Sequence, residues 1–136
     1  MDSLLVPMFA HVLLCTFLYI LLTFVRAPKV WGIGRNHDGT NPFDTIQPKI
    51  SANLSNQFEW PLFFHSICVV LIVKGLEFTS LYVAFAWVFI AGRIVHSAVQ
   101  ILTSNVKLRG LVFTLNFLAV LAMWGLFVAE TVVAQS

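Results

Sequence analysis

The sequence predicts an all-α, integral membrane four-helix bundle, and three observations carry that prediction. Of the 136 residues, 59% are hydrophobic and only 10% charged, where a soluble domain carries about a quarter charged residues. The apolar residues gather into four runs, at 4–25, 58–73, 78–100 and 111–133, each near the roughly 20 residues that cross a hydrocarbon core. None shows the short alternating pattern of a membrane barrel strand, so the backbone must satisfy itself as helix.

Taken in order, the first run begins almost at Met1. Asp2 is acidic, no basic stretch precedes the run, and no small-x-small site stands before Arg26, so the run reads as a retained helix rather than a leader. Residues 26–55 form a polar loop with Gly32, Gly34, Gly39, Pro42 and Pro48. Its Asp38-Gly39 and Asn41-Pro42 pairs signal turns. Such a loop is too long for a mere connection and is expected to cover or line a site. The second run extends at both ends to give a helix at about 56–74. A tight turn leads to the third, 78–100, and a short polar link to the fourth, about 109–133. The chain reads as a single domain over 1–136, with no internal repeat.

Charge orients the bundle. The first and third connections hold Arg26, Lys29, Arg35, Lys49, Lys107 and Arg109, against Lys74 alone on the other side. By the positive-inside rule the long loop lies in the cytoplasm and both termini lie outside or in a lumen. Trp31 and Trp60 fall near the cytoplasmic interface, as in an aromatic belt. The net charge of +2 is scattered, which argues against a nucleic-acid partner; membrane lipid is the expected one. Cys15 and Cys68 lie in apolar runs without metal-ligand spacing and read as small buried hydrophobes.

A few polar residues break this pattern. Glu59 sits at the mouth of the second helix, beside Asn56, and an ionisable group there calls for a partner. Arg93, His96 and Gln100 approach the same end of the third helix, and Arg109 opens the fourth. At 100° per residue, Arg93 and Gln100 differ by about 20° and His96 lies about 60° from Arg93, so the three form one polar stripe. Ala84, Ala91 and Ala98 recur on roughly the opposite face, where small residues permit close helix packing. Asn56 and Glu59 share a face of the second helix with Phe63 and Ser66; Arg109, Phe113, Asn116 and Val120 share one of the fourth. A Glu59–Arg93 ion pair that only fixes helix register is one reading. A cationic, hydrogen-bonding pocket for an anionic ligand is the other. His11 and His65 fall away from this cluster in depth or phase, and no bis-histidine haem or metal arrangement is expected.

Asn56-x-x-Glu59 followed by Pro61, then Gly92-Arg93-x-x-His96-Ser97, then Arg109 with an aromatic at Phe113, resembles the MAPEG family, the membrane-associated proteins in eicosanoid and glutathione metabolism. The resemblance runs from about Thr40 to the C-terminus and is nearest to the small bacterial branch, which implies a bacterial inner membrane. It implies a homotrimer that binds glutathione near the cytoplasmic side and uses it on hydrophobic electrophiles or lipid peroxides. By that resemblance Asn56 and Glu59 would hold the glutathione backbone, Arg93, His96 and Gln100 would lie in the same polar layer, and Arg109 would stabilise the thiolate. Thr40-Asn41-Pro42-x-Asp44 is similar to a loop of the prostaglandin E synthase branch, which implies a place for Asp44 near the ligand. The chain departs from the family at Ser55, where an arginine is common, at Gln100 and Phe113, where tyrosines are, and at Gly110, where a serine is.

Three functions stay open at this level: a membrane glutathione transferase or peroxidase, a non-catalytic protein that binds a lipid or another anionic small molecule on the same scaffold, and a structural membrane subunit.

Overall fold

A computed structural model describes residues 3–135. All regular structure among them is helical: α1 (Leu5–Val30), α2 (Gln47–Asn56), α3 (Pro61–Val73), α4 (Ser80–Leu102) and α5 (Val106–Gln135). Four stretches are long and apolar enough to cross a membrane: α1, α2 and α3 taken together as Gln47–Val73, α4, and α5. The chain is an integral membrane four-helix bundle whose outer surface is built for lipid.

The helices differ from the expected segments where local chemistry, not hydropathy, sets their ends. The first helix was expected to stop near residue 25, where the apolar run stops, but α1 continues to Val30. Nothing in Arg26-Ala27 breaks a helix. Termination waits for Gly32, which takes φ +71°, a left-handed conformation that glycine adopts without steric cost. Arg35 Nε donates to Pro28 O at 2.7 Å and so satisfies one of the last carbonyls.

The expected loop 26–55 contains α2. Ile50, Asn53 and Leu54 are its buried residues, spaced at i, i+3 and i+4 on one face. Ile50 and Leu54 pack with Leu18, Leu22 and Val25 of α1 and with Ile101 of α4. The remaining loop carries both expected turns. Gly39 N donates to Asn36 O at 2.9 Å, and Asn41 Oδ1 accepts from Phe43 N at 2.8 Å. The Thr40 hydroxyl and amide both donate to Asp38 Oδ1, which holds that carboxyl below the usual carboxylate range.

Asn56 ends α2 and Glu59 lies beyond it, so the expected single helix over 56–74 is interrupted. Pro61 causes this. It has no N–H to give and sits naturally at the first turn of a new helix. Across the junction the amides of Gln57, Phe58 and Glu59 reach back three residues, to Leu54, Ser55 and Asn56, at 3.1, 3.1 and 3.3 Å, a tight turn that keeps these backbone amides paired within the bundle. At the far end of α3, Leu76 N donates to Leu71 O at 2.8 Å and Gly75 turns at φ +74°, which closes the helix.

The main core lies between α3, α4 and α5. Phe64 stacks on Phe89 with ring centroids 4.4 Å apart, and Ile67, Leu71, Tyr82, Ile90, Val120 and Met123 complete it. Lipid tails are as apolar as these side chains, so close packing and polar ties hold the bundle rather than escape from water. Tyr82 Oη donates to Glu130 Oε2 at 2.8 Å, Trp124 Nε1 to Phe63 O at 3.0 Å, and Leu4 N to Glu77 O at 3.0 Å. The α4–α5 contact turns on Gly92. A Cβ at that position would run into the amide of Asn116, which is itself fully buried.

Candidate functional site

Two polar regions meet along α4. The first is internal and centres on Gln57, a residue that reading for charge passes over. Gln57 is 2% exposed. Its Oε1 accepts from Arg93 Nε at 3.3 Å and lies 2.9 Å from His11 Nε2. Its Nε2 lies 3.1 Å from Asn53 Oδ1 and 3.4 Å from Ser97 Oγ. Asn53 Nδ2 in turn donates to Gln100 Oε1 at 2.8 Å, and His11 Nδ1 is 2.8 Å from His65 Nε2. One chain of polar contacts therefore links α1, α2, α3 and α4.

This corrects two expectations. His11 and His65, expected to fall away from the cluster, are joined to it through Gln57. Arg93 bonds through its Nε to that amide and not to Glu59: among the described residues no ion pair joins the two, and Glu59 is exposed at the α2–α3 junction. The reason is helical phase. The face that turns inward runs through Asn53, Gln57, Pro61, Phe64, Cys68 and Leu71, all buried and three or four residues apart. Glu59 lies two residues, about 200°, from Gln57 and so points the other way. The spacing of Asn53 and Gln57 was the signal that could have found the network.

The second region is an open cavity of about 340 Å³ at the end of the bundle that carries α2, lined by Asn56, His96, Gln100, Arg109, Gly110 and Phe113 among others. Four of the expected site residues, Asn56, His96, Gln100 and Arg109, thus converge from α2, α4 and α5. Asn56 is delivered by the end of α2. His96 and Gln100 come from one stripe of α4, and Arg109 from the first turn of α5, where Asn105 Oδ1 caps the helix by accepting from Leu108 N at 3.0 Å. His96 packs near Phe113, ring centroids 6.1 Å apart. Glu59, Arg93 and Asp44 do not line the cavity. Asp44 is exposed in the loop ahead of α2.

The cavity offers a guanidinium, an imidazole and two carboxamides, and no carboxylate. Gln100 Oε1 is engaged with Asn53, which leaves its NH2 group free to donate. His96 Nδ1 is buried and has no partner among the described residues. This donor set suits an anionic group.

The sequence model of the MAPEG family matches residues 4–129. The chain belongs to the MAPEG family. That family is a set of membrane four-helix bundles and includes glutathione transferases and peroxidases. No curated protein and no solved structure gives a significant match. In this MAPEG chain the four departures named above all touch the site or its edge. Gly110 and Phe113 line the cavity and bring no hydroxyl to it. Ser55, exposed beside Asn56, brings no charge. Gln100 replaces a phenol with an amide whose oxygen is tied inward.

Proposed function

We propose that this MAPEG chain is a glutathione-dependent transferase or peroxidase acting on hydrophobic electrophiles, with Arg109 stabilising the thiolate. The convergence of Arg109, His96, Gln100 and Asn56 on one open cavity without a carboxylate carries the reading. The amides of Asn56 and Gln100 would hold the peptide, and Glu59, outside the cavity, would meet the amine from its rim. A thiol near its free pKa is mostly protonated at neutral pH. Arg109 brings a guanidinium cation, and a nearby cation favours the sulfur as an anion. Glutathione supplies the nucleophilic sulfur; the apolar outer surface admits the electrophile from the bilayer.

The same reading makes the chain one protomer of a homotrimer in a bacterial inner membrane, with the long loop in the cytoplasm, the side that holds soluble glutathione. The lysine and arginine bias of the loops supports the orientation. Ala84, Ala91 and Ala98 support the assembly: all three are exposed on a single chain, and small side chains let another helix approach closely. A second reading, a binding protein without catalysis, draws on Gly110 and Phe113, which bring no hydroxyl to the sulfur beside Arg109.

Glutathione should raise the unfolding free energy of the purified protein by about 2.7 kcal/mol at a hundredfold excess over its dissociation constant, read as a higher thermal midpoint in detergent or nanodiscs. No shift at millimolar glutathione would overturn the proposal. A shift without turnover on any hydrophobic electrophile would favour the binding protein.

A further inference from the structure

The hydrogen bonds around Gln57 have only one consistent direction. Arg93 Nε is a donor and never an acceptor, so the Gln57 atom facing it at 3.3 Å must be the carbonyl oxygen. That oxygen also faces His11 Nε2, so His11 Nε2 carries a hydrogen. With the rings neutral, His11 Nδ1 is then bare and accepts, and the hydrogen in the 2.8 Å contact belongs to His65 Nε2. His65 Nδ1 is left as an unprotonated acceptor. It has no partner among the described residues, and it is not one of the sealed polar atoms of the bundle, so it is reachable from outside.

His65 lines a cleft of about 360 Å³ between α1 and α3, together with His11, Thr16, Tyr19, Gln57, Phe58 and Leu62 among others. The walls are apolar and face the lipid: Phe58 is 58% exposed and Leu62 60%. This cleft shares no lining residue with the Arg109 cavity. The cleft also holds the Thr16 hydroxyl, which donates to Val12 O, and the exposed Tyr19 phenol; a ligand that meets the imidazole lone pair as well must bring a hydrogen-bond donor. Ethers and ketones can accept from Tyr19 but have no hydrogen to give His65, and a carboxylate would set its own lone pairs against that of the ring.

We propose that the α1–α3 cleft binds a hydroxyl-bearing lipid, a long-chain alcohol whose O–H donates to His65 Nδ1 while its tail lies along Phe58 and Leu62. The chain of donors fixes this as a binding site and not a base. A proton taken up at His65 could pass to His11 but no further, because Gln57 Oε1 already accepts from both sides. The ligand would remain an alcohol. The inference does not rest on glutathione at Arg109.

The test uses the full chain in nanodiscs whose lipids carry no alcohol, and a diazirine-bearing long-chain alcohol as the probe. Crosslinks should fall on α1 and α3. Dodecanol should compete about tenfold better than dodecyl methyl ether, the preference that one net hydrogen bond confers. In His65→Phe the two should compete equally. Leu62→Trp, made from the lipid side, should fill the cleft and abolish labelling with the fold intact, which keeps the test decisive if His65→Phe does not fold. Equal competition by alcohol and ether in the wild-type protein, labelling confined to other helices, or labelling that survives Leu62→Trp would each overturn the proposal.

Discussion

Gln57→Leu should destabilise the bundle by about 1.5–3 kcal/mol, the range for a hydrogen bond to a charged group. Leucine nearly matches glutamine in volume, so the loss is not a cavity. Arg93 is 1% exposed, its Nη2 already lacks a partner, and its Nε bonds to Gln57. The substitution would leave the guanidinium with no hydrogen bond among those described, strand His11 Nε2, and remove the donor that Asn53 accepts. Gln57→Glu should be milder, because it brings Arg93 a counter-charge while it loses the amide hydrogens that face Asn53 and Ser97. Thermal or denaturant unfolding in micelles measures both. A leucine variant within about 1 kcal/mol of wild type, the ordinary range for an unremarkable site, would show that Gln57 is not the hub.

The largest expected effect on activity is at Arg109. Arg109→Ala should lower turnover by about 10²–10³-fold, the usual consequence of removing one group aimed at developing charge. The ultraviolet absorbance of the bound thiolate should disappear at neutral pH and return only as pH rises toward the free thiol value, since the folded site no longer favours the anion. Arg109→Lys should recover part of the signal, for it restores the charge but not the planar fork. The thermal midpoint without glutathione should hardly move, because Arg109 lies at the cavity rim and is only half-buried. A thiolate signal unchanged in Arg109→Ala would take the residue out of this role.

Much of the fold was legible in the sequence because membrane spans are written in composition, and composition survives errors of a few residues at each end. What was not legible depended on single residues. Helix α2 is ten residues long with little apolar content, so a reading tuned to long apolar runs sees only loop there. Pro61 sets a new helix start in the midst of a continuous pattern. At the site, the rule that buried charge marks function found Arg93, correctly placed inside, and gave Glu59 a buried partner that it does not need, since it is exposed. It had no purchase on Gln57 or Asn53, because a neutral amide carries no charge to notice; only its periodicity with Phe64 and Cys68 betrays it. The residues that do converge with Arg109 were found from topology, since helix direction alone brings His96, Gln100 and Arg109 to the same end.

The polar thread through the bundle also bears on permeability. It runs from His65 on the α3 side to Gln100 at the Arg109 cavity, and such a row of imidazoles and amides suggests a wire. It should instead insulate. The carbonyl oxygen of Gln57 accepts from both neighbours, so an excess proton arriving from His11 has no site to occupy, and the charge of Arg93, which no carboxylate pairs among the described residues, stands beside the same atom, as arginines do where pores reject protons and cations. A membrane that maintains a proton gradient can therefore hold this protein without being short-circuited by it, and a steady gradient across proteoliposomes containing the chain is the matching observation.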